Sequence, residues 1–498
     1  MPSRPPYILA IDQGTTSTRA ILFDRDAVPV ASHAIELRQI YPGNGWVEHD
    51  AEAIWRDVCF CCRAAARGVP ADAIAAIGIT NQRETTVLWD RRDGSALYNA
   101  IVWQDRRTAE LCRSLQEQGH ESAVERVTGL RLDPYFSASK LHWLLGHIPG
   151  ARLRAERGEL AFGTIDSWLI FKLTGGRVHA TDVSNASRTA LLDLHTLDWS
   201  DEMLELFGIP HALLPGVRDC AADYGATGRD LLGADIPILG VAGDQQAAAF
   251  GQACFSPGDV KSTYGTGCFA LVNTGATVPV SHHRLLATAA YRARGRTAYA
   301  IEGSIFVAGA VVQWLRDALG VIRDAAEIEA LARTAKTADG LYFVPAFTGL
   351  GAPYWDPDAR AAIIGLTRDM GVAEIAQAAL DSVCLQTRDL LEAMAADMCA
   401  AGIGAPGALK VDGGMVRNDG FCQRLADLTG LAVERPRVTE TTALGAAYLA
   451  GLQAGLFDDF AAIAGSWALE RRFDPAIGSA QRDVVYDGWK RAVARVRA

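Results

Sequence analysis

Hydrophobic and polar positions alternate along this chain in short blocks. In "YILAIDQGTTSTRAILFD" (Tyr7–Asp24), two apolar runs flank a small polar turn, and one carboxylate, Asp12, closes the first run. Runs of this length, bounded by Gly, Thr and Ser, predict two strands around "QGTTST". "AAIGIT" and "TTVLWD" predict a second close pair of strands around "NQRE", with "DGSAL" as a turn behind them. "RTAELCRSLQEQ" predicts a helix. "IPILGVAGD" is a buried strand ending at Gly243-Asp244, and "QQAAAFGQA" has helix-forming composition directly after it. Helical spacing also marks "AEAIWRDVCFCCRAAAR", where Ile54, Val58, Cys62 and Ala65 share a face.

The opening pattern then returns. "DVKSTYGTGCFALVNTG" (Asp259–Gly275) is again strand, polar turn, strand, with Gly265-Thr266-Gly267 standing where Gly14-Thr15-Thr16 stood. This weak repeat predicts two related domains, residues 1–250 and 251–498, each opening with a Gly/Thr hairpin. The second half adds a long helix, "VAEIAQAALDSVCLQTRDLLEAMAAD", with Ile375, Ala379, Val383, Leu390 and Met394 on one face. The strand "LKVDGG", a helix around "FCQRLADL" and the small-residue helix "TALGAAYLAGLQAG" follow. Alternating strands and helices predict an α/β or α+β class. Two such domains are expected to meet across a cleft, a usual place for a small-molecule site.

Composition narrows the function classes. The chain has 498 residues, enough for two or more domains that each bury a core. Its net charge of −10 lacks the basic field of a nucleic-acid binder. No apolar stretch approaches the ~18 residues that span a membrane, and the opening residues carry no run of signal-peptide length. The ten cysteines are dispersed. Their one cluster, Cys59, Cys61 and Cys62, matches no usual zinc spacing and reads as buried apolar thiols on a helix. A cytoplasmic protein is expected.

Three sets of residues carry candidate chemistry. Tight Gly/Thr turns present backbone N–H groups and hydroxyls, which bind anions. Asp12 at the strand end suits Mg²⁺ held through water, and Arg19 suits phosphate oxygens. Neither a Walker A pattern nor a dinucleotide fingerprint in its strand-to-helix context is present. Two Gly/Thr turns on opposing domains can grip one polyphosphate, and Gly413-Gly414 in "VDGGMVRND" lets a nucleoside approach the backbone. The third set is polar: Arg83 and Glu84 in "NQRET", Trp103, Tyr135 in "DPYFS", and Asp244 and Gln245 in "AGDQQ". Open α/β sheets bind ligands at the carboxyl ends of strands, where a carboxylate can accept a hydroxyl proton and Arg83 and Glu84 can read a polyol. Each feature also has a plain structural reading, as a hairpin, a surface pair, a core Trp or a helix-capping Asp.

Together "AIDQGTTSTRA", "GITNQRETT", "AIVWQDRRT", "TGLRLDPYFSASKLHWLL", "GDQQAA", "YGTGCF", "PAFTGLGAPYWD", "DGGMVRND" and "GLTRDMGVAEIAQAALDS" resemble the FGGY carbohydrate kinases, and among them the members acting on glycerol. That family lies within the actin/Hsp70/hexokinase-like ATPase superfamily, and the resemblance runs from about residue 7 to about residue 495. It implies two ribonuclease H-like domains about a central cleft and ATP-dependent, Mg²⁺-dependent phosphorylation of glycerol to sn-glycerol 3-phosphate. By motif, it implies Asp244 as catalytic base; Arg83, Glu84, Tyr135, Asp244 and Gln245 on glycerol oxygens; and Trp103 and Phe269 on its carbons. It further implies Thr15, Thr16, Ser17, Arg19 and Thr266 on phosphates, Gly309, Gln313, Gly414 and Asn418 on the adenine nucleotide, and Asp12 at Mg²⁺. Family members form dimers or tetramers, so a homo-oligomer is expected. Two family controls are not expected: Gly228–Gly240 lacks the Gly-Gly-Thr-Arg loop that binds fructose 1,6-bisphosphate, and residues 219–240 contain no histidine to phosphorylate. An FGGY kinase for another polyol or a ketose would keep the nucleotide side and change the Arg83/Glu84/Tyr135 set. A chaperone-like ATPase would have no use for that set.

Overall fold

In the computed structural model, residues 6–336 and 339–497 are described. The first sheet holds β1 (Tyr7–Gln13), β2 (Ser17–Phe23), β3 (Pro29–Glu36), β4 (Ile74–Asn81) and β5 (Ile238–Gly243), in the order β5-β4-β1-β2-β3. β1 to β3 form an antiparallel meander, and β4 and β5 run parallel to β1. Successive residues of β1 serve opposite faces: Ile8 and Ala10 join one core, Leu9 and Ile11 another. A strand apolar on both sides belongs inside a sheet covered on both sides. Helix α1 (Ala51–Ala65) covers one face together with α2 (Ile165–Leu173). Cys61 and Cys62 are packed in that core as expected.

The second sheet repeats the plan. Its strands are β6 (Val260–Tyr264), β7 (Cys268–Gly275), β8 (Leu286–Ala293), β9 (Arg296–Ile305), β10 (Ala408–Asp412), β11 (Ala432–Pro436) and β12 (Leu469–Phe473). The order is β8-β9-β7-β6-β10-β11-β12. Its central five, β9-β7-β6-β10-β11, match β3-β2-β1-β4-β5 in order and direction. The weak Gly/Thr repeat is thus a repeat of topology.

Helix α3 (Asp244–Gly251) follows β5, and α4 (Gly309–Asp317) follows β9. The long α5 (Val372–Ala400), α6 (Asp419–Thr429), α7 (Thr441–Ala454) and the terminal α8 (Ser479–Val496) complete the frame. α3 and α7 occupy equivalent places behind β5 and β11, and they pack against each other. A Cβ on Gly445 of α7 would lie 1.8 Å from the Ala247 carbonyl oxygen, and one on Gly251 of α3 would lie 2.1 Å from that of Thr441. Only glycine permits this approach, which explains the small residues of "TALGAAYLAGLQAG". α7 also supplies the second face of the first sheet, with Leu444, Ala447 and Tyr448 in the core of Ile8 and Ala10. Both helices begin at the carboxyl ends of strands.

One expected pairing does not form. The strand over Ile74–Asn81 is central in the first sheet, whereas Val87–Asp90 pairs with Leu160–Gly163 in a separate small sheet. The intervening "NQRE" is a buried crossing rather than a hairpin turn. Glu84 takes φ +61° there, and hydroxyls of Thr86 and Ser137 hold its carbonyl.

Candidate active site

The carboxyl end of β4 delivers Arg83 and Glu84 into a buried ionic cluster. Arg83 Nη2 donates to Glu302 Oε1 at 2.9 Å, and Nη1 donates to Glu302 Oε2 and to Gln246 Oε1. Arg188 Nε donates to Glu84 Oε1 at 2.7 Å, and its Nη2 to Glu302 Oε1 at 3.0 Å. All four charged side chains are at most 2 % exposed. Burial penalises the Glu302 carboxylate, but Arg188 and Arg83 outweigh that and hold its pKa down to about 2. At Glu84 burial outweighs the two arginines and pushes the carboxyl up. Unpaired, charges this deep would cost several kcal/mol each, so the cluster persists as a set.

Asp244 is the first residue of α3, and Arg83 Nε stands 3.2 Å from its Oδ1. Gln245 beside it accepts from Lys261 Nζ at 2.5 Å. Lys261 is a fully buried lysine on β6, and burial lowers its pKa although Asp412, Asp244 and Glu302 surround it. Trp103 stands edge-on to Tyr135 and Phe269, with ring centroids 5.4 and 6.0 Å away. The loop bearing Tyr135 is pinned from behind: Lys140 Nζ donates to the carbonyls of Pro134, Tyr135 and Phe136. The Arg188 guanidinium lies 5.6 Å from the centre of the Tyr135 ring, which joins the rings to the ionic cluster, so Arg83, Glu84, Trp103, Tyr135, Asp244, Gln245 and Phe269 belong to one connected region.

The first Gly/Thr turn adjoins it. Trp103 Nε1 donates to Thr15 Oγ1 at 2.8 Å. The carbonyls of Thr15 and Thr16 are held by Gln39 and by the Leu37 amide, and Ser17 O accepts from Gly14 N. Thr16 is exposed. Arg19, opposite Asp12 in the hairpin register, forms an ion pair with Glu440, which directly precedes α7. Asp12 is pushed up to about 7, first by burial and further by Asp244 and Glu440, with Arg19 opposing. A carboxylate burdened by two others suits a hard cation bound through oxygen ligands.

The second turn is buttressed by α4. Ala308 and Ala310 amides donate to Thr266 O, and Gly309 N donates to Gly265 O. A Cβ on Gly309 would lie 2.6 Å from that Gly265 oxygen and 3.7 Å from Met415 Cγ, so Gly309 stands between the turn and the "DGGM" segment. Gly414 has open space where a side chain would project. Gln313 is exposed on α4. Asn418 caps α6 by accepting from Phe421 N, and it edges a cavity of about 430 Å³ between α6 and the residues Glu329 and Arg333.

Sequence reasoning missed Arg188, Glu302, Gln246, Lys261 and Glu440. Glu302 left a trace, as a lone carboxylate inside the apolar run "YAIEGSIFV". Arg188 in "SNASRTA" left none.

The structure is a two-domain α/β frame whose two sheets repeat one strand order, with a Gly/Thr turn in each and a polar cluster at strand ends. Residues 7–251 match the N-terminal domain of the FGGY family of carbohydrate kinases, and residues 260–454 match its C-terminal domain. The chain belongs to that family. It is 60% identical over 493 residues to a glycerol kinase of Alcanivorax borkumensis, covering 99% of this chain and 98% of that one. It is 59% identical to a glycerol kinase of Ectopseudomonas mendocina, with 99% of each covered. The crystal structure of Plasmodium falciparum glycerol kinase with ADP superposes with a TM-score of 0.91 at 36% identity, covering 99% and 98%. A gluconate kinase from Lactobacillus acidophilus shares the fold, with a TM-score of 0.86 at 24% identity over 99% and 97% of the two chains.

Proposed function

We propose that this protein transfers the terminal phosphoryl group of ATP to glycerol, giving sn-glycerol 3-phosphate and ADP. The observation that carries the reading is the convergence of Asp244, Arg83 and Glu84 beside the Trp103, Tyr135 and Phe269 rings, in a chain whose full-length relatives are glycerol kinases.

In this reading the rings cover the carbon frame of glycerol, while Arg83, Glu84, Tyr135 and Gln245 hydrogen-bond its hydroxyls. Asp244 accepts the proton of the attacking hydroxyl as its oxygen bonds to the γ-phosphorus and the bond to ADP breaks. Phosphoryl transfer requires mainly positioning and charge neutralisation. Thr15, Thr16, Ser17 and Arg19 are assigned to the phosphates from one side and Thr266 from the other; Gly309, Gln313, Gly414 and Asn418 are assigned to the nucleoside. Arg19 reaches the phosphates by leaving Glu440. Asp12 is assigned to Mg²⁺ through water. When bound, Mg²⁺ supplies neutralisation of the phosphate oxygens. Closure of the two halves excludes water, the competing nucleophile.

No helix among the described residues is long and apolar enough to cross a membrane. We place the protein in the cytoplasm, as a dimer or tetramer; sedimentation decides between the two.

The test is a coupled ADP-release assay with glycerol, dihydroxyacetone, xylulose and erythritol. Glycerol should be preferred. ATPase activity without a phosphorylated polyol would refute the kinase reading, and preference for a ketose would refute the substrate. Asp244→Asn should retain glycerol binding while turnover falls on the order of 10²-fold or more. Wild-type turnover would remove Asp244 from its role.

A further inference from the structure

Strands β4 and β5 run parallel and end side by side, with Asn81 and Gly243 as register partners on their last rung. Arg83 and Glu84 follow Asn81 closely, and Asp244 follows Gly243 directly. The placement of that rung therefore sets the placement of all three. Two adjacent side chains of the short helix Val183–Ala186 bridge it. Ser184 Oγ accepts from Gly243 N at 2.9 Å. Asn185 and Asn81 exchange a reciprocal pair of amide hydrogen bonds, 3.1 and 3.0 Å long. The helix is fixed in turn, because the Asp182 carboxylate accepts from Ser184 N, Asn185 N and Asn185 Nδ2. Asp182, Ser184 and Asn185 are fully buried.

Gly243 has little other freedom. A Cβ there would lie 2.7 Å from Arg83 Cγ and Cδ, so the stem of Arg83 passes directly over it. Asp244, the next residue, has one oxygen anchored: Oδ1 accepts from Gln245 N at 2.7 Å and stands 3.2 Å from Arg83 Nε. The direction of the other oxygen then follows from the backbone at Gly243.

We infer that Ser184 is a positioning residue for the reaction: by holding Gly243 N, it aims the Asp244 carboxylate at the attacking hydroxyl. Asn185, through Asn81, keeps Arg83 and Glu84 in register with that carboxylate. The inference rests on the reading of Asp244 as general base, and Ser184 acts through Asp244.

The experiment is a double-variant cycle on the full-length protein. The coupled assay gives kcat at saturating glycerol and ATP, well below each variant's melting temperature. Ser184→Ala should lower kcat roughly tenfold, part of the ~10²-fold that a 1 Å misplacement costs. In the Asp244→Asn background no base remains to be aimed. There the same change should cost less than about twofold, because residues that act as a unit are not additive. Ser184→Cys fills nearly the same space with a poorer acceptor. Its kcat should fall between wild type and Ser184→Ala, and it carries the cycle if the alanine variant does not fold. A melting curve and calorimetric glycerol binding show that folded protein is assayed. Wild-type kcat in folded Ser184→Ala overturns the inference. So does an equal loss in both backgrounds, which makes Ser184 a structural residue whose removal weakens the whole site. A wild-type rate in Asp244→Asn alone refutes the base reading and the inference with it. A slow Asp244→Asn with an additive cycle refutes the inference only.

Discussion

Gly445→Ala is the sharpest single perturbation of this architecture. The added Cβ would lie 1.8 Å from the Ala247 carbonyl oxygen, whereas carbon and carbonyl oxygen rest at roughly 3.3–3.6 Å. The obstacle is backbone on both sides, so α3 and α7 must part by about 1.5 Å to restore that separation. Overpacking of this kind costs about 1–3 kcal/mol, or a fall in Tm of about 2–12 °C for domains of this size. The same shift moves Asp244, at the start of α3, away from Glu440 and Thr441, at the start of α7. A misplacement near 1 Å costs about 10²-fold in turnover. Calorimetric melting and the coupled kinase assay check both effects. Gly146→Ala is the control: it lies in the helix Ser137–His147 with nothing within 4 Å of a new Cβ, so it should stabilise by about 0.5–1 kcal/mol and leave turnover unchanged. Wild-type Tm and turnover in Gly445→Ala would refute the account of helix contact.

Other expectations follow from the site. Asp12, pushed up to about 7, is protonated below that pH in the metal-free protein, and Mg²⁺ must displace the proton. Apparent Mg²⁺ affinity should therefore fall as pH drops from 8 to 6, approaching about tenfold per unit below the pKa; a flat profile by Mg²⁺ titration at fixed ATP would exclude Asp12. Lys140→Met releases three buried carbonyls around Tyr135 and should raise the glycerol KM by roughly tenfold, with the ATP KM little changed. Trp103→Phe keeps an aromatic ring but loses the bond to Thr15. It should weaken nucleotide binding in the presence of glycerol by about two- to tenfold, the worth of one hydrogen bond; unchanged nucleotide affinity would show that the two ends of the site are independent.

How much of this was legible without coordinates depends on the range of the interaction involved. β1, β2, β5, α5 and α7 each announce themselves through local periodicity and turn residues, because their formation depends on neighbours within a few positions. The Gly/Thr turns and Asp244 were legible for the same reason, since each sits where a strand visibly stops. The "NQRE" hairpin failed because strand partners are chosen by which apolar faces meet, and β4 finds β1 and β5 rather than the next strand along. The Arg83–Glu302 and Arg188–Glu84 contacts join positions 219 and 104 residues apart. No local pattern specifies such pairs. Buried charges are settled only when distant segments pack together, within the first half for Arg188 and Glu84 and between the halves for Arg83 and Glu302, and each group must find its counter-charge away from water. The chain alone thus determined the elements, the repeated plan and the residues able to do chemistry. The tertiary structure alone decided that Glu302 pairs with Arg83, that Glu440 holds Arg19, and that two glycines bring α3 and α7 into contact, because desolvation and close packing act on residues that folding, not sequence order, makes neighbours.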